Sequence, residues 1–252
     1  MTGKAEDRIA EDLVAVGVRP GGVLLVHSSL GSLGQVPGGA ETVIRGLLAA
    51  VGPGGTLLMP ALSYEHVNES SPVFDAVVTP SNVGAIPEHF RIRSGTLRSL
   101  HPTHSVCGIG TRASELLADH QLDTTPVGAH SPFRKLRDIG GQLLMLGCGL
   151  GPNTSMHGIE ELVEPPYLFG ETTEFTMIHP DLHQTTMSCR RHDFAGFDQR
   201  YQRLGPLLKP GDLTVAKVLA ATVHLIDAKA MWRAGLEAIR SDPLYFVEPA
   251  KA

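Results

Sequence analysis

The chain has 252 residues, a formal net charge of −5 and a pI near 6.2, with 42% hydrophobic and 19% charged residues. That is an ordinary globular composition, long enough to bury a core without staples. No apolar run reaches the roughly 20 residues that span a bilayer, no basic stripe offers itself to nucleic-acid phosphates, and the acidic start MTGKAEDRIAEDL is unlike a signal peptide. Three cysteines argue against a disulfide framework and point to a reducing cytoplasm.

Short apolar runs alternate with helical stretches, the pattern of an α/β layered fold. Residues 6–16 place Ile9, Leu13 and Val16 on one helical face, with Gly17 positioned to end the helix. The turn Gly21-Gly22 leads into an apolar strand at 23–26, continuous as in strands covered on both faces. A helix follows at 40–51, then the GPGG turn and a second buried strand at 56–59. Residues 61–80 lack either period and read as a long loop of the functional kind. Further strands are expected at 105–109 and 142–146. A helix begins at Asn153 and is stopped by Pro165-Pro166. Alternation at 174–178 and 184–189 predicts antiparallel strands, and a last helix runs over 227–240.

Four groups of residues can carry chemistry. His27-Ser28-Ser29-Leu30, followed by Ser32-Leu33, closes the first buried strand, where open α/β sheets bind ligands. Its hydroxyls and backbone N–H groups can meet a phosphate or carbonyl oxygen, or simply cap a turn. His101-Pro102-Thr103-His104-Ser105-Val106-Cys107 brings two imidazoles ahead of another strand, as an acid/base pair, a metal pair or a structural turn; Cys107 reads as a core side chain rather than a nucleophile. In Asn153-Thr154-Ser155-Met156-His157-Gly158-Ile159-Glu160-Glu161, Asn153 or Thr154 caps the helix. There Glu160 and Glu161 share a helical face with His157, either as a base with its carboxylate or as an exposed ion pair. His179, His183, Cys189 and His192 match no tight zinc spacing and read as surface and hairpin residues.

Taken together, the segments VHSSLGSLGQVPGGAETVI, GPGGTLLMP, GAIPEHFR, LRSLHPTHSVCGIG, SPFRKL and LLMLGCGLGPNTSMHGIEE resemble the aminoglycoside 3-N-acetyltransferase family over most of the chain. The resemblance implies one α/β domain over residues 1–252, a layered fold with a central mixed β-sheet flanked by helices, distinct from GNAT-type acetyltransferases. It implies transfer of the acetyl group of acetyl-CoA, as cosubstrate, to the 3-amino group of a 2-deoxystreptamine aminoglycoside. His27, Ser28, Ser29, Leu30, Ser32, Leu33, Arg98, His101, Thr103, His104, Ser105 and Ser131 then belong to the coenzyme A site. His157 becomes the catalytic base, with Glu160 or Asp193 orienting it.

Amine attack on a thioester needs a base near neutral pKa, which suits a histidine, and donors for the developing oxyanion. Direct transfer in a ternary complex is expected, since no cysteine sits in a nucleophile's setting. Tyr64, Asp75, Glu160, Glu161 and Glu164 are the candidates for holding a cationic small-molecule amine. No metal, nucleic-acid or membrane partner is expected, and an oligomer is open. Beyond residue 170 and in the 61–80 loop the chain departs from the resistance enzymes, which admits a different amine as acceptor. The competing classes are a zinc-dependent hydrolase and a non-catalytic CoA-binding protein.

Overall fold

A computed structural model describes residues 2–194 and 196–250. Helix α1 (Thr2–Val16) ends where Gly17 takes a φ of +112°, a value glycine reaches without the Cβ penalty. Strand β1 (Val23–Ser28) runs into a 3₁₀ turn at Leu30–Leu33 and helix α2 (Gly39–Val51). The two helices pack closely at Gly46, where a Cβ would meet Ile9 Cγ2 at 2.7 Å. Strand β2 (Thr56–Pro60) follows, then a long excursion containing the short strand β3 (Val73–Asp75), helix α3 (Ala85–Ile92), β4 (Leu97–Arg98) and β5 (Val106–Gly110). Helices α4 (Ala113–Leu117) and α5 (Pro132–Asp138) precede β6 (Gln142–Leu146) and the short helix α6 (Ser155–Glu160). The remainder comprises β7 (Phe169–Ile178), β8 (Gln184–His192), β9 (Phe197–Gln199), β10 (Leu213–Val218), β11 (Ala221–Asp227), α7 (Ala228–Ser241) and β12 (Val247–Pro249).

The central mixed sheet has the order β10-β11-β6-β1-β2-β5-β4. Its middle, β6-β1-β2, is parallel, and the pairings outside it are antiparallel. Alternation sorts the apolar runs onto two faces. Leu24, Val26, Leu144 and Leu146 join the core beneath α1, α2 and α3, while Val23, Leu25, Leu143 and Met145 join the one beneath α5, α6 and α7. Both faces of β1 and β6 are therefore covered, which is why these strands are continuous apolar runs. Beside this three-layer body stands a smaller sheet, β3-β7-β8, with its own core around Val67, Phe74, Phe175, Met177, Met187 and Cys189.

Several expectations need amending. The 61–80 loop is interrupted by β3, whose parallel pairing with β7 no local period announces. The hairpin β10-β11, absent from the sequence expectations, extends the sheet beyond β6. Helix α6 spans six residues, and its Thr154 makes no side-chain cap; Asn153 Oδ1 accepts from Ser155 N–H instead. Cys107, Cys148 and Cys189 are all free thiols, and no helix among the described residues is long and apolar enough to cross a membrane.

Candidate active site

From β1 the chain builds β2 on one side, and β6 is laid on the other, so the C-terminal ends of these parallel strands diverge at a switch point where open α/β sheets bind ligands. A cavity of about 480 Å³ opens there. His27 and Ser28 from β1, Thr103 and His104 from the turn before β5, and Asn153, Thr154 and His157 from α6 form its inner wall. Tyr64, Asn68, Arg191, His192, Phe194, Gln199 and Tyr201 form the wall facing them.

His157 is held from behind. The Tyr201 hydroxyl donates to Glu160 Oε2 at 2.7 Å and lies 2.8 Å from His157 Nδ1. A phenol has one proton to give. With it spent on the carboxylate, Tyr201 must accept from His157, so Nδ1 carries the ring hydrogen and Nε2 keeps its lone pair. Tyr167 donates to the other carboxylate oxygen at 2.9 Å, and the direct His157–Glu160 separation is 3.4 Å. Glu160 has no exposed surface. The pair is thus a buried relay through tyrosine, not a helix-surface ion pair. Burial, then the neighbouring carboxylate, pushes the Tyr201 phenol well above its ordinary range, so it remains a donor.

The other imidazoles are kept neutral. Burial first, then the charge of His157, lowers His27 to about 3. Burial and neighbouring histidines hold His104 and His192 well below the usual range. His192 Nε2 sits 2.9 Å from Glu161 Oε1, while Glu161 also accepts from the Thr125 hydroxyl and the Val127 N–H. His27 Nε2 and Ser28 Oγ are buried with no hydrogen-bond partner.

Of the residues expected to bind coenzyme A, hold the amine or perform the chemistry, His27, Ser28, Tyr64, Thr103, His104 and His157 line the cavity. The rest do not, each for a local reason. Ser32 Oγ bonds Ser29 Oγ and the Gly147 carbonyl, and Leu30 and Leu33 pack into the core beneath α2. Arg98 lies over the Phe74 ring with its guanidinium on Ser105 Oγ and the carbonyls of Ala61 and Thr79; burial lowers it to about 10. Ser105 Oγ donates to the Ala61 carbonyl. His101, fully buried, accepts from the N–H groups of Thr103 and His104 and so shapes the turn that presents His104. Ser131 caps α5. Asp75 closes its own turn by accepting from Val77 and Val78 N–H. Glu160 and Glu161 lie behind the wall, and Glu164 pairs with Arg190 on the surface.

Asp193 does not orient His157. It follows the last residue of β8, its side chain is exposed to solvent, and the hydrogen bonds to His157 come from Tyr201 and Glu160 instead. The groups hydrogen-bonded around His157 are Glu160 and Tyr201; the tyrosine lies 44 positions beyond His157, with no spacing signal to announce it. The four residues considered for zinc are not gathered. His179 and His183 stack at the exposed β7–β8 turn, Cys189 faces His101, and only His192 reaches the cavity.

A histidine of fixed tautomer in a cavity at the switch point of an open α/β sheet is the kind of arrangement that enzymes use to move a proton. The family model described as Aminoglycoside 3-N-acetyltransferase matches residues 25–240. Aminoglycoside N(3)-acetyltransferase IV of a Salmonella species is 32% identical over 94% of this chain and 88% of its own length. Aminoglycoside N(3)-acetyltransferase VII of Streptomyces paromomycinus is 35% identical over 63% of this chain and 61% of that relative. Among solved structures, a histidine-to-alanine mutant of AAC(3)-IVa in complex with a gentamicin superposes with a TM-score of 0.83 at 30% identity, over 97% of this chain and 91% of that one. The AAC-IIIb binary complex with CoASH gives 0.79 at 29% identity, over 96% and 97%. The chain belongs to the aminoglycoside 3-N-acetyltransferase family, and its fold is that of these enzymes rather than of the GNAT type.

Proposed function

We propose that the protein transfers the acetyl group of acetyl-CoA to an amine of an aminoglycoside, the 3-amino group of its 2-deoxystreptamine ring, in the cytoplasm, with His157 as base. The observation that carries this reading is the His157–Tyr201–Glu160 relay, which leaves the Nε2 lone pair aimed at the cavity. The acceptor's ammonium first gives one proton to solvent. As the amine nitrogen then bonds to the thioester carbon, Nε2 takes its second proton. The tetrahedral intermediate collapses with cleavage of the C–S bond, and the proton on Nε2 passes to the departing sulfur. Ser28 Oγ, buried beside the cavity without a partner, is the donor assigned to the developing oxyanion. Transfer is direct, since burial raises Cys148, the thiol on the cavity wall, to about 11 and keeps it protonated.

No carboxylate lines the cavity among the described residues. The acceptor is therefore held by neutral oxygens and nitrogens of Asn68, Asn153, Thr154 and Gln199, and by the Tyr64 and Phe194 rings, which suit amines and ring hydroxyls alike. The test is thiol release from acetyl-CoA with a panel of aminoglycosides, for wild type and His157→Ala. The expected result is aminoglycoside-dependent turnover, with kcat lower in the variant by about 10²–10⁴-fold, the contribution of a positioned base, and acetyl-CoA binding retained. Near-wild-type turnover by folded His157→Ala would remove the base from this residue.

A further inference from the structure

We propose that His104, His157 and His192 form a binding site for a divalent transition-metal ion of the zinc class, and that the bound ion reversibly blocks acetyl transfer. The binding stands on geometry alone; the blocking rests on the reading of His157 as base.

The three imidazoles come from separate elements, the turn before β5, helix α6 and the end of β8, and one ring nitrogen of each lies within 4.8 Å of one from both others. Ring centroids are 4.9 Å apart for His157 and His192, 5.4 Å for His104 and His192, and 6.1 Å for His104 and His157. At Zn–N distances of about 2.0–2.1 Å, tetrahedral nitrogens sit roughly 3.3 Å apart, so side-chain rotations that draw the rings together complete the set.

What separates this trio from an accidental cluster is the far nitrogen of each ring. His104 Nδ1 is 2.9 Å from Thr103 Oγ1, His157 Nδ1 is engaged by Tyr201, and His192 Nε2 by the Glu161 carboxylate. Metal-binding histidines are fixed in tautomer and direction by such outer bonds, often to carboxylates. The opposite nitrogens are left free, and His192 Nδ1 is buried with no hydrogen-bond partner. The unmet bonding capacity of the three rings thus gathers in one region of the cavity wall, within reach of a single ion once the rings rotate about these outer bonds.

Three imidazole ligands with one position open to the cavity select zinc, copper, nickel or cobalt over magnesium or calcium. No carboxylate stands among the cavity-lining residues to fill the fourth position, which falls to water or to an amine of the acceptor. An ion there takes the Nε2 lone pair of His157. A coordinated nitrogen accepts no proton, so the base is withdrawn until the metal leaves.

Tag-free protein stripped with a chelator and titrated with cobalt(II) reports on the site directly through visible absorption. The expected result is a spectrum of low-coordinate cobalt saturating at one ion per chain and bleached by zinc. It should disappear in His192→Ala and in the volume-keeping His104→Gln, with near-ultraviolet circular dichroism confirming that each is folded. Glu161→Gln, which weakens the outer bond to His192 along with the bonds from Thr125 and Val127, should lower cobalt affinity about 10–100-fold in protein whose circular dichroism is unchanged. Absence of the spectrum from wild type, or its survival unchanged in all three variants, overturns the site. In parallel, stripped wild type should release thiol, stop with one equivalent of zinc and recover with chelator. Metal binding without inhibition leaves the site standing and overturns the blocking together with the base reading. Stripped protein that turns over only after zinc is added overturns the blocking and makes the ion a participant.

Discussion

Replacing Tyr201 by Phe isolates the relay from everything else in the cavity. The ring that packs beneath His157 is preserved, while the one hydroxyl that joins His157 Nδ1 at 2.8 Å to Glu160 Oε2 at 2.7 Å is removed. What remains is a 3.4 Å separation between imidazole and carboxylate, too long and too poorly aimed to replace it. Hydrogen bonds involving a charged partner are worth about 1.5–3 kcal/mol. This one matters most in the transition state, when His157 becomes an imidazolium and Glu160 its counter-charge. A barrier higher by that amount lowers kcat by about 10–100-fold. Steady-state thiol release should show this fall, with little change in the affinity for acetyl-CoA. In a His157→Ala background the same substitution should have almost no further effect, because groups acting as one unit are not additive. A kcat within about twofold of wild type in folded Tyr201→Phe would refute the relay; so would a full additional loss in the double variant, which would place the tyrosine in direct contact with substrate instead.

Asp193→Ala should turn over like wild type, since the side chain is exposed and points away from His157; a loss comparable to Tyr201→Phe would reinstate it as the orienting group. Gly158→Ala should lower the melting temperature by several degrees, because a Cβ there would strike the Trp232 ring and approach Val127 Cγ1 at 2.6 Å, and overpacking costs about 1–3 kcal/mol. Acid should destabilise the fold through His27, His101 and His120, which burial holds neutral, at about 3, about 4 and well below the usual range respectively. Unfolded, all three protonate near 6.5, so the unfolded state binds more protons as pH falls. Their stability is complete above about 6.5 and is lost progressively toward pH 4, at roughly 1.4 kcal/mol per pH unit for each. A urea midpoint that stays level between pH 7 and 5 would contradict this.

The strands at the middle of the sheet were legible because both their faces are covered. The run at 142–146 coincides with β6, and 23–26 and 56–59 fall within β1 and β2. The hairpin β10-β11 was not, for the complementary reason. As the sheet's edge, β10 (LTVAKV) keeps only Val218 buried, so its apolar residues mark out no single core face. The same contrast runs through the site. His157 and Glu160 stand three apart on one helix, so their pairing is written locally. His192 and Tyr201 reach the cavity from β8 and from the 3₁₀ turn at Tyr201–Leu207, placed by tertiary packing that no spacing encodes. The motif around Arg98, His101 and Ser105 drew notice for its polar residues, and those residues work as its framework, bonded to carbonyls and turns while Thr103 and His104 face the ligand space. Residue type announced importance there without distinguishing support from contact.

The β3-β7-β8 sheet has its own small core yet delivers Arg191 and His192 to one wall of the cavity, while His27 and Ser28 on the opposite wall belong to the seven-stranded sheet. The pocket is therefore assembled from two parts that can diverge at different rates. Insertions or deletions in the segment from Tyr64 to Ser71, whose Tyr64, Val67 and Asn68 line the cavity, reshape it without breaking one pairing of the central strands. A lineage can vary the acceptor wall by editing this segment while His27, Ser28 and His157 stay in place. The same division makes the Tyr64–Ser71 segment the place to graft loops when an altered choice of amine is wanted.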